Sequence, residues 1–248
     1  MRGKGLEMTG IQKVFTTAAG SAFTVVLLFL TPTIARATTT NLSNGASISL
    51  ATIIDNNLNV QIADKNFGNF FFSYNDTDNI SSDDLTRSNV TITALSNSFG
   101  FGVSFTQPLL ALGPVIKDIV LRYSVAVTDP NFLISDIHLD INGSAGNGGL
   151  GSVGETVTTN GFGGTTVATL QASIPVASGD VASSNIVPPV VQLWAEKDVI
   201  VTGGNNANGF ASISEIDQSY SQVPEPSTMM LVGLGLMGVV AVNRKRKS

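Results

Sequence analysis

Cysteine is missing from all 248 residues, and the chain has one histidine and one tryptophan. Without a thiol there is no disulfide framework, no thiolate nucleophile and no Cys-ligated zinc. One histidine also excludes the two-histidine zinc protease motif. Charge is scarce, at 12% of residues, roughly half the usual share of a soluble chain. Positive charge is scarcest in the middle. Between residues 38 and 226, Lys65, Arg87, Lys117, Arg122 and Lys197 face seventeen acidic residues. So acidic a domain lacks the basic footprint nucleic acid requires, and no nucleic-acid partner is expected. A Gly-x-Ser-x-Gly nucleophile elbow and a Gly-Lys-[Ser/Thr] phosphate loop are absent. So is any window of eleven or more residues with helical periodicity.

What is present is a chain 43% apolar with 25 glycines, a mix suited to short strands and turns. Apolar residues alternate with polar ones from about Asn44 to Tyr220. Phe99, Phe101, Val103 and Phe105 share one phase, and Ile119, Leu121, Tyr123, Val125 and Val127 share another. Further strands are expected near 46–54, 57–63, 67–74, 88–95, 131–141, 165–174, 190–202 and 208–217, with turns at Asn142-Gly143, Asn160-Gly161, Gly203-Gly204 and Asn208-Gly209. Together these predict an all-β fold, a two-sheet antiparallel, jelly-roll-like β-sandwich spanning residues 38–222.

Both ends read as targeting segments. Residues 1–37 have the form of a secretory signal peptide: Arg2, Lys4 and Lys13, then an apolar stretch over 23–30, then Ala35-Arg36-Ala37. Small residues at −3 and −1 place cleavage before Thr38. At the other end, Met229 to Val242 is an unbroken run of apolar and glycine residues. Fourteen helical residues rise about 21 Å, short of a hydrocarbon core of about 30 Å. Ser227, Thr228 and Asn243 extend the run to the lower limit of a short transmembrane helix. The cluster Arg244, Lys245, Arg246 and Lys247 behind it would halt transfer at the cytoplasmic membrane and leave the domain outside. Gly233-Leu234-Gly235-Leu236-Met237-Gly238 matches a dinucleotide fingerprint, but no βαβ unit surrounds it.

Just before this run stands Val223-Pro224-Glu225-Pro226-Ser227-Thr228. Pro224-Glu225-Pro226, a short apolar span and a terminal basic cluster, within 223–248, resemble the PEP-CTERM sorting signal. The resemblance implies an exosortase-type membrane enzyme that processes the chain at or near the triplet, and delivery to the cell surface or extracellular polymer. Independently of the name, two prolines stop a helix from running out of the membrane and keep the peptide extended.

Four features within the domain could carry chemistry. Asp136, His138 and Asp140 lie at period 2 on one strand face and could bind a metal or do acid–base work, but a solvated face is expected. Asp76, Asp78, Asp83 and Asp84 could give oxygens to calcium; Ile80 and a missing glycine break the helix–loop–helix calcium pattern there, and a solvated acidic loop is expected. Gly148-Gly149-Leu150-Gly151-Ser152 begins like a calcium-binding nonapeptide, but Val153 replaces its aspartate, so a surface loop is expected across 142–154. Phe70, Phe71, Phe72, Tyr74 and Trp194 could form a glycan-stacking face, although core positions are expected. No catalytic residue is assigned and no cofactor is expected beyond possible calcium. The reading is a non-enzymatic structural or adhesive protein of extracellular polymer. A carbohydrate- or calcium-binding module and a glycan-active carboxylate hydrolase stand as alternatives.

Overall fold

The computed structural model describes residues 37–77, 85–175 and 182–225, with Met230, Leu231 and Met237 of the tail. The chain divides after Arg36, and the fold below belongs to the unit that starts at Ala37. In order, the elements are β1 (Thr38–Leu42), β2 (Ser47–Ser49), α1 (Leu50–Asp55), β3 (Leu58–Ile62), β4 (Lys65–Asp76), β5 (Thr91–Asn97), β6 (Gly100–Leu112), β7 (Ile116–Val127), β8 (Phe132–Gly146), β9 (Leu150–Thr159), β10 (Thr165–Ile174), β11 (Ala182–Val190), β12 (Gln192–Thr202) and β13 (Phe210–Pro224). They form two sheets. The first runs β1-β3-β4-β7-β12-β9-β10 and the second β11-β8-β13-β6-β5-β2. Every pairing is antiparallel except β1 with β3. The expected β-sandwich is therefore observed.

Alternation explains the core. Leu121, Tyr123 and Val125 of β7, Ala195, Val199 and Val201 of β12, and Val153 and Val157 of β9 turn inward from the first sheet. Ile137 and Leu139 of β8, Ile216 and Tyr220 of β13, and Val103 and Phe105 of β6 meet them from the second. Two bulges reset the phase. Asn69 and Phe70 stand against Tyr123 alone, with Asn69 at φ +55°, so Phe67 and Phe70, three apart, both face the core. On β13, Ser214 and Glu215 stand opposite Asn142 alone. Ile213 and Ile216 are consequently both fully buried, as an extra residue in one strand requires.

Several expectations are corrected. The strand near 46–54 is β2 followed by a helical turn. Ser49 caps it through its Oγ, accepting the Thr52 N–H at 3.2 Å, and the stripe Leu50–Ile53 buries itself. Asn142-Gly143 is no turn but the interior of β8, and most of the 142–154 loop is strand. The reversal falls at Asn147-Gly148, whose φ values of +53° and +90° suit asparagine and glycine. Trp194 is not core; it is half-buried on the outward face between the buried Leu193 and Ala195. Phe99 and Phe101 are 39% and 37% exposed, unlike Val103 and Phe105 in the same run. Among the described residues no helix is long and apolar enough to cross a membrane. The segment expected to do so, 229–242, lies outside them apart from the three residues named.

Candidate functional site

The sorting triplet joins the fold directly. β13 lies between β8 and β6 in the middle of its sheet and ends at Pro224, paired with Phe132. Glu225 then donates its N–H to the Asn131 carbonyl at 2.8 Å. Pro226 and the cluster Arg244, Lys245, Arg246 and Lys247 lie outside the described residues, as does Ala35. Thr38, the residue expected to follow signal cleavage, is the first of β1. Of the acidic loop, Asp76 closes β4 and accepts the Tyr74 hydroxyl at 2.8 Å, while Asp78, Asp83 and Asp84 fall outside the described residues. Among the described residues no three His, Asp or Glu side chains converge to hold a metal.

The outward face of the second sheet gathers the polar residues of β8 and β13. Asp136, His138 and Asp140 do share it, with Ile137 and Leu139 buried behind. His138 Nε2 lies 3.0 Å from Asp136 Oδ1. Register sets Ser219 beside His138 and Asp217 beside Asp140. Phe99, in the turn between β5 and β6, stacks on His138 with ring centroids 4.2 Å apart and planes at 26°. Its backbone is pinned on both sides: Asn97 Oδ1 accepts its N–H at 2.9 Å, and its carbonyl accepts the Ser221 hydroxyl at 2.8 Å. Gly100 follows at φ +119°, where a Cβ would meet the Tyr220 carbonyl at 2.4 Å, so only glycine makes this turn.

Phe99 borders two depressions. One, of about 40 Å³, is lined by Asn97, His138, Asp140, Asp217 and Ser219. The other, of about 260 Å³, opens at the end of the sandwich beside Asp64, Lys65, Phe101 and Gln222. Burial raises the Asp217 pKa above the ordinary carboxylate value, with the Glu215 and Asp140 charges adding to it. Ser104 gives its hydroxyl proton to Glu215 at 2.8 Å. Ser219 is 2% exposed. On the opposite sheet, exposed Phe71 packs under Arg122, 5.3 Å from the ring, and Arg122 pairs with Glu196 at 2.7 Å. Phe70 and Phe72 turn inward, with Phe70 stacked on Tyr123 at 5.9 Å.

A third polar group is sealed between the sheets. Lys197 of β12 and Glu155 of β9 are cross-strand partners with side chains 0% exposed, Nζ to Oε1 2.9 Å apart. Gln218 of β13, also fully buried, accepts a hydrogen bond from the same Nζ through Oε1. Next to them the Tyr123 and Tyr220 hydroxyls meet at 2.8 Å. Burial pushes both phenols well above their ordinary value. It lowers the Lys197 pKa, with the Glu155 charge opposing.

Sequence reading found the Asp136–His138–Asp140 face but not Phe99, Asp217 or Ser219, which join it only through the turn and the Ser214 bulge. It also missed the sealed group, although the signal was there: Lys197 falls in phase with Ala195 and Val199, and Glu155 with Val153 and Val157.

With this geometry in hand, the fold is a β-sandwich whose central strand leads into a sorting tail. Residues 222–247 match the PEP-CTERM protein-sorting motif. The chain thus carries the signal of exported proteins sorted at the membrane by exosortase. Among solved structures it is similar to the enzymatically active domain of tailspike protein 4 of bacteriophage CBA120, at 17% identity and TM-score 0.26, covering 62% of this chain but only 19% of that one. It is also similar to TmCBM61 in complex with β-1,4-galactotriose, at 11% identity and TM-score 0.23, over 61% and 88% of the two chains. A family 11 carbohydrate-binding module from Clostridium thermocellum gives 11% identity and TM-score 0.22 over 60% and 88%. No curated protein matches the sequence.

Proposed function

We propose that the chain is a non-enzymatic adhesive module of extracellular polymer, delivered by its sorting tail and holding a neutral glycan against the Phe99 face. One observation carries this reading: Phe99, backed by His138 and pinned from both sides, stands exposed between two depressions lined with hydrogen-bonding groups. An aromatic ring offers its face to the C–H side of a sugar. Asn97, Asp140 and Asp217 on one side, and Asp64 and Gln222 on the other, are suited to its hydroxyls. The excess of carboxylates on the domain disfavours a polyanionic glycan.

A hydrolase is the second reading, favoured by the raised Asp217 beside Asp140. These two carboxylates rise side by side from neighbouring strands. A glycosidase needs them flanking the scissile bond from opposite sides. The depression between them, about 40 Å³, holds a water or a hydroxyl but not a sugar ring.

Affinity electrophoresis of the full chain in gels cast with neutral and anionic polysaccharides tests the proposal. Retardation by a neutral glycan, weakened roughly tenfold in Phe99→Ala, is expected, a loss of about 1.4 kcal/mol. Unchanged retardation in Phe99→Ala would overturn the site. Reducing ends released by wild type but not by Asp217→Asn would favour the hydrolase.

A further inference from the structure

The sealed Lys197–Glu155–Gln218 group makes poor sense as a stabilising device. A buried ion pair gains little over apolar residues of the same volume, because both partners lose their water. Here the carboxamide nitrogen of Gln218 has no acceptor among the described residues, and no donor other than Lys197 reaches either oxygen of Glu155. The arrangement does have what an acyl transfer needs. An amine stripped of water is the nucleophilic form of lysine. It is in hydrogen-bond contact with the carboxamide of Gln218 and with a carboxylate able to move protons. All three groups are held by β-ladders rather than loops, so little motion is lost on reaction.

We infer that Lys197 and Gln218 join in an amide bond that covalently ties the first sheet to the second, with Glu155 as the proton carrier. Lys197 Nζ attacks Cδ of Gln218 to give a tetrahedral centre. Glu155 takes a proton from Nζ and delivers it to Nε2. The Cδ–Nε2 bond breaks, one molecule of ammonia leaves, and an ε-amine plus a primary amide have become a secondary amide. No oxidant, reductant or cofactor is consumed. The surroundings assist, since Tyr123 and Tyr220 close the group off from solvent and exclude the water that would compete for the same carbonyl.

A second lysine–glutamine contact shows why the sealed one is chosen. Lys65 Nζ donates to Gln222 Oε1 at 3.0 Å, again from the first sheet to the second, but it also donates to Asp64 at 3.0 Å and borders the open end cleft. Lys65 itself is 1% exposed, but its carboxylate is 25% exposed and Gln222 is half-buried, so water reaches both of its partners. Only Lys197, Glu155 and Gln218 are closed off together.

The test is peptide mapping of the full chain after denaturation. Phe210 and Glu215 both lie between the two residues in sequence. Cleavage at either should leave the fragments carrying Lys197 and Gln218 joined as one branched species, lighter by one ammonia than the two separate peptides together. In Glu155→Gln, which keeps shape but removes the proton carrier, the same cleavage should give two separate fragments. Separate fragments from folded wild-type protein would overturn the inference without recourse to any variant. A joined species in Glu155→Gln would remove Glu155 from the mechanism. Lys197→Met must give separate fragments, and a joined species there would mean that another amine is the donor.

Discussion

Tyr123 on β7 and Tyr220 on β13 bring their hydroxyls to 2.8 Å across the middle of the sandwich, each phenol serving as the other's polar partner. Removing one hydroxyl strands the other in an apolar interior. Tyr220→Phe should lower unfolding free energy by about 1–2 kcal/mol. Adding Tyr123→Phe should cost little further, a coupling read from a double-mutant cycle of urea melts. Two independent, additive losses would show that the hydroxyls do not depend on each other.

The same pair sets an alkaline limit. Both phenols are raised well above the ordinary 10.0 by burial. Above that value the unfolded chain releases phenol protons that the folded chain keeps, so stability is whole below pH 10 and falls as pH rises beyond it. Urea midpoints measured from pH 8 to 11 should drop in wild type and drop less steeply in the double phenylalanine variant.

Asp118 and Asp198 are neighbours on the outward face of the first sheet. The Asp118 pKa is raised by burial first and by the Asp198 charge second. A carboxylate raised in this way repels its neighbour once ionised, so its contribution is favourable at acid pH and lost as pH rises. Asp118→Asn should therefore stabilise the domain at pH 7. Because solvent reaches the pair, the gain is no more than about 0.5 kcal/mol. Melts at pH 3 should show no gain, and an equal gain at both pH values would remove the repulsion.

The bulge at Ser214 decides which residues of β13 face the core. Ser214 and Glu215 share one partner, so deleting Ser214 removes the extra residue and plain alternation then keeps Ile213, Ile216, Gln218 and Tyr220 inward. A folded protein should be recovered. Inserting one alanine between Ile216 and Asp217 instead turns Asp217 and Ser219 inward and Gln218 and Tyr220 outward, and no folded protein should be recovered. Ser214→Ala loses only an exposed hydroxyl bonded to the Asn142 carbonyl at 3.2 Å and should stay within about 1 kcal/mol of wild type. Recovery of a folded insertion variant, judged by near-ultraviolet circular dichroism, would show that the phase of β13 is not fixed.

At the tail, Glu225→Ala or replacement of Pro224, Glu225 and Pro226 by alanine should leave export intact and block processing. Full-length protein then accumulates in the cytoplasmic membrane, visible by immunoblot of fractionated host cells. Deleting Arg244 to Lys247 should instead release unprocessed chain. Normal processing of the triplet variant would make the tail a plain anchor.

The class of fold was legible because alternation survives in almost every strand: Ile119 to Val127 and Leu193 to Val201 read as they fold. Individual positions were lost where one residue changes the phase. The bulge at Asn69 puts both Phe67 and Phe70 inward, and the one at Ser214 makes Ile216 and Gln218 follow Ile213 inward in place of Glu215 and Asp217, neither of which a period of two can foresee. Glycine misled across 142–154, where it serves close packing inside strands: a Cβ on Gly143 would lie 2.1 Å from the Ser212 carbonyl. The Asp136–His138–Asp140 face was readable because it lies within one strand, whereas Phe99 reaches it from a turn some forty positions earlier. The sorting triplet was readable because its order along the chain is itself the signal.

The placement of β13 also fixes how the domain bears load. Its last paired residue, Pro224, adjoins the sorting tail; β8 flanks the strand from Phe210 to Pro224 and β6 from Phe210 to Tyr220. A pull on the tail along β13 would load its hydrogen bonds to β8 and, from Tyr220 inward, to β6 together in shear. An edge strand pulled from its end would unzip one bond at a time. In the surface role proposed above, a chain tugged by flow or by a moving neighbour would thus be held by the part of its fabric least able to tear.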